Sequence, residues 1–195
     1  MTDPRRLQIV GQALDESAGI KQALRAQSAQ IVDAADRLVE TFRAGNRLYA
    51  CGNGGSASDA MHLVEELVAR YKRTRPGIPA HHLLDGPTLT CWSNDFDFET
   101  AFQRQVETLI RPGDVLVAIS TSGNSANVLL AAKAARAAGA WTLGLTGGTG
   151  GQLAEAADLT IRVPSAATER VQEAHICIIH ILCELVETAL YGDGD

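Results

Sequence analysis

The sequence predicts an α/β domain in which a parallel sheet of about five strands is covered by helices. Short apolar segments alternate with longer segments that have helical periodicity. Two of the apolar segments run directly into a glycine-rich or serine-rich turn and then into a helical pattern, which is how a βαβ unit opens. Hydrophobic residues make up 46% of the chain and charged residues 21%, as in ordinary globular domains. Alternating strands and helices imply parallel strands with both faces of the sheet covered.

The N-terminal part of the chain is predicted to contain two helices, roughly 4–24 and 27–44, which we expect to form a helical hairpin. Apolar residues such as Ile31, Ala34 and Leu38 recur there at the spacing of one helix face. The Gly–Asn pair that follows is typical of a helix end.

Strands and helices alternate through the rest of the chain. Strands are predicted at 47–51, 80–84, 115–119, 141–145 and 159–163. Helices are predicted at 57–71, 126–138 and 168–190. Because no linker or internal repeat divides the chain, we predict one domain. It covers residues 1-195, with the N-terminal helices at 1-44 and the α/β core with the last helix at 45-191.

Composition and charge argue against several classes of protein. The formal net charge of −6 opposes a nucleic-acid partner. The N-terminal residues lack the uninterrupted apolar segment of a signal peptide, and the apolar run Ala174–Val186 is too short to span a bilayer. We therefore expect a cytoplasmic protein without a membrane partner. Its cysteines are expected to be reduced core residues; they are Cys51, Cys91, Cys177 and Cys183.

A glycine-rich turn, Cys51–Ser56, follows the first predicted strand. Glycine lets the backbone approach a ligand, and the amides at the start of the next helix can bind an anion. An ordinary tight turn explains the glycines equally well. The spacing fits neither the dinucleotide-binding fingerprint nor the Walker loop. The candidate ligand-binding residues of this turn are Asn53, Gly54, Gly55 and Ser56.

A hydroxyl-rich loop, Ile119–Ser125, connects another predicted strand to a helix. Hydroxyl groups and free amides at a helix N-terminus suit a phosphate monoester. A capping serine would account for one of the hydroxyls but not for all of them. The candidate phosphate ligands are Ser120, Thr121, Ser122 and Ser125.

Two helices carry candidates for acid–base or metal chemistry. His62 and Glu66 are four residues apart, so an imidazole and a carboxylate can converge on one metal ion or substrate. A surface His–Glu pair is the alternative. Gln172 and His180 lie on the last helix, where a buried, satisfied imidazole is the alternative for His180. His175 is roughly 140° round that helix from His180 and is interpreted as structural.

A further polar pair, Asn94 and Asp95, is predicted at a corner between a strand and a helix. These side chains could bind sugar hydroxyls. Without other support, turn and capping chemistry is the favoured interpretation of both residues.

Taken together, these segments resemble the phosphoheptose isomerase branch of the sugar isomerase (SIS) family. The resemblance extends from about residue 45 to the end of the chain, on matching segments at 51–71, 75–80, 93–96, 111–129, 145–151 and 163–182. It implies a flavodoxin-like SIS domain and an aldose–ketose isomerase that converts sedoheptulose 7-phosphate to D-glycero-D-manno-heptose 7-phosphate. It also implies a homotetramer with active sites at the subunit boundaries.

The resemblance implies roles for individual residues as well. The position of Glu66 carries the base that moves a proton between C1 and C2, and that of His180 carries its acid–base partner. Four positions often hold a zinc ion: His62, Glu66, Gln172 and His180. Phosphate or nearby hydroxyls are bound at the positions of Ser56, Ser120, Thr121, Ser122 and Ser125. The sugar is contacted, or the site is ordered, at the positions of Asn53, Gly54, Arg70, Asn94 and Asp95.

Two other functions deserve comparison with the isomerase. Some SIS proteins of this branch are non-catalytic scaffolds that bind the bacterial replication initiator, but their acidic and imidazole positions are replaced, whereas Glu66 and His180 are present here. A phosphosugar-sensing regulator would usually carry a DNA-binding domain, which the acidic net charge opposes. Because the last helix is apolar almost all round from Ala174 to Val186, we also expect a second chain to cover it in a homo-oligomer.

Overall fold

The sheet has five parallel strands in a computed structural model that describes residues 3–192. The strands are β1 (Leu48–Gly52), β2 (Ala80–His82), β3 (Val115–Ser120), β4 (Trp141–Gly147) and β5 (Leu159–Val163). Their order is β2-β1-β3-β4-β5. The fold class is confirmed, including the flavodoxin-like strand order. The first two and last three residues of the predicted domain lie outside the described part of the chain.

Eight α-helices connect and cover the strands within residues 3–192. They are α1 (Pro4–Ala23), α2 (Ser28–Arg43), α3 (Gly55–Val68), α4 (Gly86–Asp95), α5 (Ala101–Leu109), α6 (Ala126–Ala137), α7 (Leu153–Ala156) and α8 (Thr168–Tyr191). The helices α2, α3 and α8 cover one face of the sheet, and α5 and α6 cover the other. Three helices were not predicted, namely α4, α5 and α7.

The N-terminal helices do not form the predicted hairpin. A short 3₁₀ helix at Leu24–Gln27 joins α1 to α2, so the chain stays helical where a hairpin would need a reversal. As a result α1 and α2 make almost no contact with each other, and both pack on α8. The helix α1 buries none of its residues, whereas α2 buries a full apolar face that includes Leu38.

The long helix α8 lies in the core of the fold. Its 24 residues include an 18-residue window with the length and apolar composition of a membrane span, and 44% of that window is buried inside the protein. The helices α1, α2 and α3 pack on α8, and cover of its remaining surface by a second chain stays a prediction. Ile181 is an apolar side chain of this helix that remains exposed, at 39%.

The cysteines occupy three environments, buried, half-buried and exposed, and Cys177 is the half-buried one. Cys51 and Cys183 are buried as expected, and burial raises the pKa of each thiol to about 12. Cys91 is exposed on α4 and therefore is not a core residue. None of the four cysteines forms a disulfide.

The strand order places a crevice between β1 and β3. The chain adds strands on one side of β1 and then on the other, so the crossover helices after β1 and β3 leave in opposite directions. These two strands pair from Leu48 with Val115 to Gly52 with Ile119. The turns that follow their carboxyl ends diverge from each other. Open α/β sheets bind their ligands at such a point.

Candidate active site

Three side chains from α3 and α8 form a cluster, which we call the triad: His62, Glu66 and His180. His62 Nε2 lies 3.1 Å from Glu66 Oε1, as expected for residues one helical turn apart. His180 Nε2 lies 3.4 Å from His62 Nε2 and 3.9 Å from Glu66 Oε1. The Glu66 carboxylate is the least exposed of the three side chains, at 15%. The structure therefore brings together three of the four predicted metal ligands.

The triad has the donor set and spacing of a metal site. Two imidazoles and a carboxylate are ligands that zinc commonly takes. Zinc–nitrogen and zinc–oxygen bonds of about 2.0–2.2 Å at tetrahedral angles put neighbouring donor atoms about 3.3 Å apart. Two of the observed separations, 3.1 and 3.4 Å, lie close to that value, and the third, between His180 and Glu66, is longer at 3.9 Å. The residues present thus fit a divalent ion, with a coordination position left for another ligand.

Gln172, the fourth predicted ligand, lies on α8 but away from the triad. Its amide sits over Gly55, so closely that a Cβ on this glycine would be 2.2 Å from Gln172 Nε2. Gly55 is the first residue of α3, seven residues and about 10 Å of helix rise before His62. In this chain Gln172 therefore covers the glycine-rich turn instead of joining the triad.

The glycine-rich turn has a backbone that only glycine can supply. Gly54 has a φ of 56° and caps the start of α3. A Cβ on Gly52 would lie 2.6 Å from the carbonyl oxygen of Ser56. Ser56 is buried, and its amide donates to the Asn53 carbonyl at 3.0 Å. The tight packing holds the first amides of α3 at the carboxyl edge of the sheet.

The hydroxyl-rich loop lies beside that turn. Ser120 Oγ and Ser125 Oγ are 3.0 Å apart, and Ser122 Oγ accepts a hydrogen bond from the Asn124 amide. Ser125 is the N-cap residue of α6, and its own side chain makes no capping bond. The loop also packs on the turn after β4, where a Cβ on Gly123 would lie 1.9 Å from the Gly150 carbonyl oxygen. The hydroxyls and the α6 N-terminus therefore lie together in one loop whose backbone is fixed by its packing, an arrangement that suits an anion.

A pair of amide side chains links the two loops. Asn53 and Asn127 exchange hydrogen bonds of 2.8 and 2.9 Å, and Asn127 Oδ1 also accepts from the Val128 amide. This pair bridges the crevice between β1 and β3. Sequence analysis identified Asn53 but missed Asn127, although its position in the first turn of the helix after the serine-rich loop was a usable signal.

Of the remaining predicted residues, Arg70, Asn94 and Asp95 lie apart from these groups, whereas Thr121 belongs to the hydroxyl-rich loop. Arg70 is exposed just beyond the end of α3. Asn94 and Asp95 occupy the last turn of α4, not a strand-to-helix corner, and Asn94 donates to Asp95 at 2.8 Å. Thr121 is half-buried, and its carbonyl accepts from the Gly147 amide at 2.9 Å.

Two ionisable groups with shifted pKa values lie behind the site, the half-buried Asp59 and the buried His175. Asp59, on α3 between the glycine-rich turn and His62, has its pKa raised to about 6 by burial, while the nearby charge of His62 acts in the opposite direction. His175 Nε2 donates to the Thr146 carbonyl at 3.2 Å, and burial lowers the pKa of this imidazole to about 4. His175 is therefore neutral near pH 7, in agreement with a structural role.

Tyr71 is a neighbour of the triad for which the sequence offered no signal. Its ring stacks on His180 with the centroids 5.8 Å apart and the planes inclined by 28°. The His180 ring also meets His62 edge-on, with the centroids 5.1 Å apart. The imidazole of His180 thus contacts two other rings.

Comparison with known proteins agrees with this geometry. The SIS domain family matches residues 14–147. The phosphoheptose isomerase of Roseiflexus sp. (strain RS-1) is 49% identical over 174 residues, which is 89% of this chain and 88% of that protein.

Solved structures show the same fold. A phosphoheptose isomerase from Neisseria gonorrhoeae superimposes with a TM-score of 0.88 and 37% identity, covering 93% of this chain and 98% of that one. One from Francisella tularensis gives a TM-score of 0.91 and 32% identity, covering 96% and 100%. This chain belongs to the SIS domain family.

Proposed function

We propose that this member of the SIS family is a phosphoheptose isomerase that converts sedoheptulose 7-phosphate to D-glycero-D-manno-heptose 7-phosphate for heptose biosynthesis. The observation that carries the proposal is the triad, because a scaffold without catalysis would have no need of converging acid–base groups. Relatives that are about half identical over most of this chain are named as the same enzyme. These relatives favour the enzyme over the non-catalytic alternative.

The test is a direct assay. Purified protein mixed with sedoheptulose 7-phosphate, with and without added Zn²⁺, should form an aldose phosphate that can be followed by chromatography or NMR. Glu66→Gln protein prepared in parallel is the control for contaminating isomerases. Absence of aldose under both metal conditions would contradict the proposal.

Glu66 and His180 divide the proton transfers in the proposed mechanism. Glu66 removes a proton from C1 of the ketose, and the electron pair of that C–H bond forms the C1=C2 bond of an enediol. His180 gives a proton to the oxygen on C2 in the same step. Glu66 then returns a proton to C2 while His180 takes the proton of the C1 hydroxyl, which leaves an aldehyde at C1.

The geometry of Glu66 supports its role as the base. Its Oε1 atom faces both imidazoles of the triad. Its Oε2 atom accepts no hydrogen bond from any residue between 3 and 192, so this oxygen is available to a substrate carbon. His62 orients the carboxylate through the 3.1 Å contact.

The triad would hold a zinc ion through Oε1 of Glu66 and the Nε2 atoms of His62 and His180. Oε2 of Glu66 and Nδ1 of His180 would then remain for the proton transfers. When bound, the ion supplies Lewis-acid polarisation of the substrate carbonyl. Gln172 could become a fourth ligand only if its side chain left Gly55, or if it came from a neighbouring copy.

The phosphate is proposed to bind at the hydroxyl-rich loop. Ser120, Thr121, Ser122 and Ser125 supply hydroxyls there, and the N-terminus of α6 supplies a positive electrostatic potential. Asn53, Gly54, Gly55 and Ser56 would contact the adjacent part of the sugar. Arg70, Asn94 and Asp95 are assigned to the site through the family resemblance.

We propose a homo-oligomer, most simply a tetramer, whose active sites use more than one chain. The triad lies about two helical turns along α3 from the glycine-rich turn, and Asn94 and Asp95 are exposed on α4. The helix α1 buries no side chain within its own chain and exposes Leu7, which is 58% accessible. A second copy would cover such apolar surface.

Sedimentation at micromolar concentration tests the assembly. The expected result is a species several times heavier than the 20.7 kDa chain. A fully active monomer would contradict the proposed assembly without affecting the proposed chemistry.

A further inference from the structure

A buried ion pair joins α8 to the segment that follows α3. Arg75 Nε lies 2.8 Å from Glu187 Oε1, and the two side chains are 2% and 0% exposed. The other carboxylate oxygen of Glu187 accepts hydrogen bonds from the amides of Lys72 and Arg73 at 3.1 and 3.2 Å. The two charges are therefore paired, and both oxygens of the Glu187 carboxylate accept hydrogen bonds, as a buried ion pair requires.

The same guanidinium group also binds the end of α3. Arg75 Nη2 donates to the carbonyl of Glu66 at 2.8 Å, and Nη1 donates to the carbonyl of Leu67 at 2.8 Å. These carbonyls belong to the last turn of the helix, where no intrahelical partner is available. The planar fork of arginine can bind a carboxylate and two carbonyls together, and a lysine ammonium cannot reproduce that geometry.

The ion pair lies on the triad's side of both helices. Glu187 follows His180 by seven residues, which is nearly two full turns, so both side chains project from the same face of α8, roughly 10 Å apart. On α3, Arg75 holds the peptide carbonyl of Glu66 itself. One side chain thus connects the backbone of the proposed base to the face of α8 that carries its partner imidazole.

We propose that Arg75 and Glu187 are positioning residues that set the separation of α3 and α8 at the triad. They hold His62 and Glu66 at the distance from His180 at which the three side chains can share one divalent ion. This inference rests on the proposed function. Neither residue is proposed to bind the substrate, because the hydroxyl-rich loop and the glycine-rich turn lie toward the opposite end of α3.

A second ion pair provides a matched control. Lys72 Nζ lies 2.8 Å from Glu184 Oε1, and this pair connects the same two segments as the buried pair does. Both of its side chains are about half exposed, and Lys72 donates no side-chain hydrogen bond to a carbonyl of α3 in the described residues. Removing it tests whether any loss of contact between these segments disturbs the triad.

The experiment compares Co²⁺ binding and steady-state kinetics of the wild type, Glu187→Gln, Arg75→Lys and the control Glu184→Gln. Co²⁺ alone is titrated into metal-free protein and followed by its visible absorption. Circular dichroism establishes that each variant is folded at the assay temperature. Arg75→Lys retains the positive charge, so it remains informative if Glu187→Gln does not fold.

We expect Glu187→Gln and Arg75→Lys to bind Co²⁺ about 10–100-fold more weakly than the wild type, as is usual when a group that orients a metal ligand is lost. Their kcat should fall while KM for the phosphosugar stays unchanged, and Glu184→Gln should match the wild type in all three quantities. A purely stabilising role would lower the melting temperature of the variants but leave Co²⁺ affinity and kcat intact, and that result would overturn the inference.

The outcomes also separate this inference from the proposed function. If the wild type turns over substrate but does not bind Co²⁺, the proposed metal site fails, and the kcat of the variants alone decides the positioning role. If the wild type has neither property, the proposed function fails and the inference fails with it. If wild type and variants bind Co²⁺ equally well, only the inference is overturned.

Discussion

The loops at the carboxyl edge of the sheet and the triad between α3 and α8 are built in different ways. Each loop takes its polar atoms from a few consecutive residues, and its backbone is fixed by glycines such as Gly123, which packs against Gly150. The triad instead joins His62 to His180, which are 118 residues apart in sequence. The proposed anion binding therefore depends on local sequence, whereas the proposed acid–base chemistry depends on how two helices pack.

This difference predicts separate functional effects. Changes in the triad should act on kcat, because its side chains are proposed to move protons. Changes in the hydroxyl-rich loop should act on KM, because the loop is proposed to hold the phosphate equally in the ground state and in the transition state.

The largest expected effect follows Glu66→Gln. Glutamine preserves the shape of the side chain but cannot accept a proton from carbon, so kcat should fall by about 10²–10⁴-fold or more. The KM for sedoheptulose 7-phosphate should change little. The control is Glu65→Gln, which neutralises the adjacent exposed carboxylate on α3. A Glu66→Gln enzyme that keeps a tenth or more of the wild-type kcat would place the base elsewhere.

The stability of the two regions should respond to acid in opposite directions. The pKa of His175, close to the end of β4, is lowered from 6.5 to about 4 in the folded protein. As the pH falls through this window the unfolded chain takes up its proton first, so stability falls, by up to about 3 kcal/mol. The pKa of Asp59 on α3 is raised from 3.8 to about 6. Here the folded chain takes up the proton first, and stability rises as the pH falls from 6 to 3.8.

Single substitutions separate these opposing contributions. Asp59→Asn should make the free energy of unfolding fall more steeply than in the wild type between pH 6 and 4, and His175→Gln should make it fall less steeply or rise. Urea unfolding at a fixed protein concentration over this pH range measures both slopes. Parallel slopes for the two variants would show that these groups do not have the shifted pKa values described above.

The sequence predicted the local elements of the site better than the contacts between them. All five strands were found, and both loops were placed at strand ends, because a strand with its glycine or serine turn is a continuous pattern. The His62–Glu66 contact was also predictable, since four residues make about one turn of helix. Whether His180 or Gln172 would join that contact depends on the packing of α8 against α3, which no local pattern specifies.

The elements that the sequence did not predict also lack a local pattern that would specify them. The helix α4 buries none of its residues, so it lacks the apolar periodicity by which a helix is found. The position of α1 depends on whether Leu24–Gln27 turns or stays helical, and no glycine or proline there decides it. Tyr71 stacks on His180, and Arg75 donates to the Glu66 carbonyl, from a connecting segment without regular structure.

The smallest expected effect belongs to the double variant Ser120→Ala, Ser122→Ala. Each serine is proposed to donate one hydrogen bond to a charged phosphate, and the amides of α6 remain to bind it, so KM should rise about 10–100-fold while kcat changes little. Ser125 would also lose its 3.0 Å hydroxyl contact with Ser120, but the backbone contacts between the loops do not involve these hydroxyls.

Thr108→Ala, which removes an exposed hydroxyl from α5, is the control for a general effect of losing a hydroxyl. A rise in KM for sedoheptulose 7-phosphate without a change in kcat would locate binding in the loop and leave proton transfer to the triad. An unchanged KM would move the phosphate away from this loop, whereas a fall in kcat as large as that of Glu66→Gln would mean that the two regions do not act separately.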